Sequence, residues 1–131
     1  MEMHFAITLS GNKKVDAHFR GFTMRTDQPL SDGGDNTAPA AFELFLASIG
    51  ACAGFFIVSF CQSRNIPTDK IKISQTAFRN DKTHMVEKMT LAVELPPDFP
   101  ERYKNALIKA VDSCTVKKHL VNPPQIEISA K

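Results

Sequence analysis

The sequence predicts an α+β chain, with antiparallel strands before and after one long apolar helix. Three observations carry that expectation. The first 26 residues contain three short segments in which apolar and polar side chains alternate; Ala38–Arg64 is a single long apolar run; and two more alternating segments follow it, ahead of a stretch with helical spacing. At 131 residues the chain is expected to form one domain, 1–131, able to bury a modest core.

Met3 to Leu9 alternates and reads as a strand, and Ser10-Gly11-Asn12-Lys13 supplies the turn after it. Val15 to Phe19 and Phe22 to Thr26 alternate again, so the three segments should form an antiparallel meander with one wet face. Asp27 to Thr37, with its Ser31-Asp32-Gly33-Gly34-Asp35-Asn36 run, reads as a loop leading to the helix. Thr37 is the expected N-cap, with Pro39 tolerated in the first turn.

The central helix is expected over about residues 38–64, ending where Asn65-Ile66-Pro67 breaks the pattern. It is long enough to cross a bilayer, and its Gly50 and Gly54 fit a small-xxx-small pattern that suits membrane and soluble packing alike. With 43% hydrophobic and 23% charged residues, the rest of the chain reads as an ordinary globular domain, which favours a buried core helix. The N-terminus lacks a charged region followed by an apolar one, so the expected location is the cytoplasm, with no membrane partner. A helix apolar on all sides must be enclosed on all sides. At 1.5 Å per residue it would be about 40 Å long, more than so small a chain can cover, so a second copy is expected to enclose it.

Lys70 to Phe78 and Val86 to Leu95 should pair as a hairpin through the Asn80-Asp81-Lys82-Thr83 turn. Pro96-Pro97-Asp98-Phe99-Pro100 ends the second strand and opens a helix from about Glu101 that carries Cys114 near its end. Thr115 to Val121 adds a turn or two of helix, and Ile126-Glu127-Ile128 reads as a short closing strand.

Charge excludes one class of partner. Sixteen basic and fourteen acidic residues leave a net charge of +2 without a basic patch, which is no footprint for nucleic acid. The three cysteines include no C-x-x-C pair, so neither a disulfide framework nor a zinc ribbon is expected; the four histidines are scattered, and no metal or cofactor is called for. Cys52 and Cys61 lie nine residues apart, on opposite sides of one helix and about 13 Å apart along its axis, so they cannot bond within it. Cys114 is on another element and is the only intrachain partner that folding could bring to Cys52. Cys61 reads as a small buried hydrophobe. Cys52, between Ala51 and Ala53, has small neighbours that leave room around the sulfur.

The run Pro39-Ala40-Ala41-Phe42-Glu43-Leu44-Phe45-Leu46-Ala47-Ser48-Ile49-Gly50-Ala51-Cys52 resembles the P-x-E-L-L-L-A-A-x-G-x-C signature of the OsmC/Ohr family of thiol peroxidases acting on organic hydroperoxides. Asp112-Ser113-Cys114-Thr115-Val116-Lys117-Lys118 is similar to the family's C-P-V-x-K motif, with Thr115 at the proline position, and Asp27-Gln28-Pro29 with Gly33-Gly34 resembles the loop of the OsmC-like branch. The resemblance implies an OsmC-like fold, an intertwined homodimer around paired long helices. It also implies a division of labour: Cys52 attacks the peroxide, Cys114 resolves the sulfenic acid, and an external dithiol resets the pair. In the family an arginine held by a glutamate lowers the thiol pKa, and Arg25, rather than Arg20, with Glu43 are the candidates here. The family's glutamate stands ten residues before the cysteine, directly after a proline; here Phe42 occupies that position and Glu43 is nine before, opposite Cys52 on a straight helix and suited to capping the helix start. A different class of function is a module binding an apolar ligand in a cleft of Phe42, Phe45, Phe55, Phe56 and Phe60, with Cys52 inert, and a third is thiol chemistry on a substrate other than a peroxide.

Overall fold

The computed structural model describes Met1–Lys131 as two compact units, Met1–Leu46 and Ala47–Lys131, with the boundary inside the long helix. The first unit holds strands β1 (Ala6–Gly11), β2 (Lys14–Phe19) and β3 (Phe22–Thr26) in one antiparallel sheet of order β1-β2-β3. Gly11 and Asn12 both have positive φ at the first turn, where the ladder also carries a bulge. Arg20 and Gly21, with φ of 52° and 80°, form the second turn, the two-residue mirror-image type whose twist matches the flanking strands. Arg20 is therefore a turn residue, and its guanidinium lies over the rings of Phe19 and Phe22.

The loop after β3 is tied to this sheet. Asn12 donates to the Gly33 carbonyl and to Asp35, and Lys14 pairs with Asp35. Inside the loop a short 3-10 turn, Leu30–Asp32, ends at Gly33, and the Gly34 N–H bonds to the Pro29 carbonyl. A Cβ at Gly34 would lie 2.0 Å from the Gln28 carbonyl oxygen, so only glycine fits there.

The long helix α1 spans Ala41–Gln62, shorter than the sequence expectation at both ends. Thr37 is not its N-cap. Its hydroxyl and N–H both go to Asp27, and the Leu44 N–H to Ala40 carbonyl bond marks where the helix begins, leaving Pro39 outside. With a mean hydropathy of 2.2 over its best window, α1 is long and apolar enough to cross a membrane, and only 22% of that window is buried in this chain. Phe42, Phe45 and Phe55, three of the five phenylalanines assigned to a cleft, stand exposed.

In the second unit β4 (Lys72–Arg79) and β5 (Val86–Glu94) form the expected antiparallel hairpin. A 3-10 turn, Glu101–Tyr103, precedes α2 (Lys104–Asp112), and α3 (Thr115–Val121) follows. The core gathers Ile57, Phe60 and Cys61 of α1 with Phe99 and Leu107. Arg64 closes the end of α1: its guanidinium lies 3.6 Å from the Phe60 ring centre and donates to the Phe60 carbonyl. Gly50 lets β4 approach the helix, with Gln75 over the place where its side chain would stand, while Ile73 lies at ordinary contact distance from Gly54. The expected closing strand at Ile126–Ile128 does not form; both isoleucines are exposed and no strand of the chain pairs with them. The α+β architecture, with antiparallel sheets and a long central helix, is the one the sequence predicts.

Candidate functional site

Cys52 and Cys114 meet in the second unit. Cys114 is the N-cap of α3, with φ −50° and ψ 133°, and is almost wholly buried, while Cys52 is half-buried on α1. The first intrahelical bond of α3 runs from the Lys118 N–H to the Cys114 carbonyl, so the amides of Thr115, Val116 and Lys117 have no acceptor within the helix. The amides of Val116 and Thr115 favour the ionised form of Cys52, and those of Lys117 and Val116 that of Cys114. Both thiols are free and hydrogen-bonded to each other.

This arrangement sets the two sulfurs apart chemically. Burial pushes the Cys52 thiol up, but the hydrogen bond from Cys114 and the amides of Val116 and Thr115 outweigh it, and Cys52 ends below its ordinary value. Burial raises Cys114, and its role as donor to Cys52 raises it further against the pull of the Lys117 and Val116 amides. One sulfur is thus prepared to be a thiolate and the other to stay protonated beside it. Cys61, by contrast, is fully buried and raised by that burial, with Arg64 opposing.

A cavity of about 340 Å³ opens beside Cys114, lined by Ile49, Ala53, Leu91, Val111 and Leu120, with Asp112 and Lys117 paired on its wall. Its lining is mostly apolar and suits a hydrocarbon group rather than a charged one.

The other two candidates are in the first unit. Glu43 accepts from the Ala40 N–H at 2.8 Å, the reach-back half of a capping box, which closes the start of α1. Arg25, on β3, lines a polar cavity of about 360 Å³ with Lys14, Asp16 and Thr37. The sequence reading passed over Asp27, the one fully buried charged residue of the chain. Its carboxylate accepts from the Thr37 hydroxyl at 2.6 Å, the Thr37 N–H at 3.0 Å, the Gln28 N–H at 2.8 Å and the Asp35 N–H at 3.5 Å. The Thr37 hydroxyl first and then its N–H hold the carboxyl far below the usual range against the cost of burial, with the other amides adding to them. An Asp opening a run of turn residues was the available signal. No three His, Cys, Asp or Glu side chains converge in a metal-binding group.

A family model described as OsmC-like protein matches residues 33–129, and this chain belongs to the OsmC family. No curated protein sequence matches it. Solved structures that share its fold include a Psychrobacter arcticus protein described as an osmotic stress induced and detoxification response protein, at 17% identity and a TM-score of 0.76 over 90% of this chain and 87% of that one. An OsmC-like protein from Mycoplasma pneumoniae superposes with a TM-score of 0.72 at 16% identity, covering 94% and 89% of the two chains. An organic hydroperoxide resistance protein, OsmC, from Legionella pneumophila gives 0.55 at 16% identity over 89% and 88%.

Proposed function

We propose that the chain is a thiol peroxidase that reduces organic hydroperoxides in the cytoplasm as part of oxidative stress defence. The observation that carries this reading is the Cys52–Cys114 pair, two sulfurs distant in sequence, hydrogen-bonded, and shifted in opposite directions. The Cys52 thiolate attacks one peroxide oxygen, the O–O bond breaks, and the alcohol leaves after taking a proton; Cys52 becomes a sulfenic acid. The Cys114 thiol then condenses with it, forming the disulfide and releasing water. An external dithiol reduces that disulfide by two successive exchanges and leaves both thiols restored.

The apolar cavity at Cys114 supports a substrate with a hydrocarbon arm. Membership of the family, and the hydroperoxide resistance of a structural relative, agree with the same substrate class. Roles for Arg25 and Glu43 in ionising Cys52 rest on the family resemblance. Loss of cumene hydroperoxide with a dithiol present tests the reading: Cys52→Ser abolishes it, and undiminished turnover in that variant sinks the assignment.

The active form is a homodimer. Support comes from α1, whose Phe42, Phe45 and Phe55 a single chain leaves in water. Sedimentation equilibrium at micromolar concentration should find a dimer, and a stable folded monomer there rules the assembly out.

A further inference from the structure

We propose that Ala53 is a specificity-determining residue, whose small side chain leaves room for branching at the carbon that bears the hydroperoxide and so admits tertiary hydroperoxides. The inference rests on the reading of the chain as a thiol peroxidase. It draws on the shape of the apolar cavity beside Cys114, every lining residue of which lies in the second unit. That cavity is graded from floor to mouth. Ala53 and Cys114, at 1% and 3% exposed, form its floor, while Ile108 and Leu120, at 53% and 49%, stand at its mouth. The exposed Asp112–Lys117 pair shares the mouth with them. Between floor and mouth, β5 turns its half-buried alternate residues Met89, Leu91 and Val93 to one wall.

The sulfur at the floor fixes which way a substrate must lie. The O–O group has to reach the buried end, and the hydrocarbon then runs along the apolar walls towards the mouth. The carbon attached to the peroxide oxygen therefore rests against the floor. Ala53 directly follows Cys52 on α1 and stands one turn from Ile49, so these two residues form the helix side of the cavity next to the reacting sulfur. Ala53 has the smallest side chain of the lining. A larger one there would take the space that substituents on the peroxide-bearing carbon need, whereas a straight chain carries only hydrogens at that carbon and loses less.

The test compares a tertiary with a primary substrate in the full chain. With a dithiol present, kcat/KM for cumene hydroperoxide divided by kcat/KM for n-octyl hydroperoxide should fall roughly tenfold in Ala53→Leu, the scale on which a few extra methylenes in an apolar pocket discriminate. An unchanged ratio overturns the proposal. Binding is scored separately by calorimetry with cumyl alcohol and n-octanol, which have no O–O bond to reduce. Ala53→Leu should weaken cumyl alcohol relative to n-octanol by a similar factor, and equal weakening of the two overturns the proposal. A lost preference for cumyl alcohol in a chain that consumes no peroxide upholds the steric role of Ala53 and refutes the peroxidase. Should Ala53→Leu fail to fold, the wild-type chain decides: its Ala53 methyl resonance must shift as cumyl alcohol is added, and a still resonance overturns the proposal as firmly.

Discussion

Asp27 in the first unit and Cys52 in the second are held by the same device, backbone amides and one neighbouring O–H or S–H aimed at an acidic group, yet they serve different ends. Asp27 takes every donor from its own loop, is wholly buried, and is left with nothing to react with. Cys52 takes its donors from an element far along the chain, keeps part of its surface open, and has as its third donor a thiol able to form a covalent bond with it. Amide donors stabilise an anion in either setting. The two sites differ in access and in whether the neighbouring donor is a thiol.

The largest expected effect is on chemistry. Cys114→Ser should leave Cys52 able to react once with cumene hydroperoxide and then stop, with sulfenic acid detectable by dimedone labelling; sustained turnover in that variant would place the resolving thiol elsewhere. On the Asp27 side, Gly34→Ala drives a methyl group into the Gln28 backbone and should cost about 1–3 kcal/mol in urea denaturation. A neutral result would mean the loop is softer than a scaffold should be. Asp27→Asn should act through pH. The folded carboxyl titrates below its ordinary value of 3.8, so its contribution is complete above that pH and is lost as the pH falls towards the lower folded value. Wild-type stability should therefore decline on acidification through that window, and the Asn variant should be less stable at neutral pH with a flatter acid limb; parallel melting curves for the two proteins across pH would remove Asp27 from the account. The smallest effect is at Glu43. Losing its bond to the Ala40 amide in Glu43→Ala should cost about 1 kcal/mol by the same denaturation, and a loss of several times that would give Glu43 a duty beyond capping.

The strands were legible because alternation is a direct record of a two-faced sheet, as in Val86–Glu94, and the central helix because its apolar run could be little else. Its start was misread. Thr37 has the right side chain for a cap, but the buried Asp27 carboxylate competes for that hydroxyl, and a contact ten residues back is invisible to local rules. Ile126–Ile128 shows the converse failure, for alternation marks a segment able to pair without supplying the strand it needs. At the site, the two sulfurs were found by type and position. The Thr115 and Val116 amides were not, because a main-chain donor leaves no trace in residue identity until the fold shows where it points.

Cys61 gives the chain a built-in clock. Sealed in the core beside Phe60 and resistant to ionisation, it can meet a labelling reagent only when that core comes apart, whereas Cys52 is open to the reagent in the intact chain. One pulse of a thiol reagent therefore records two quantities in a single sample, the accessibility of Cys52 from one peptide and the frequency of core opening from another.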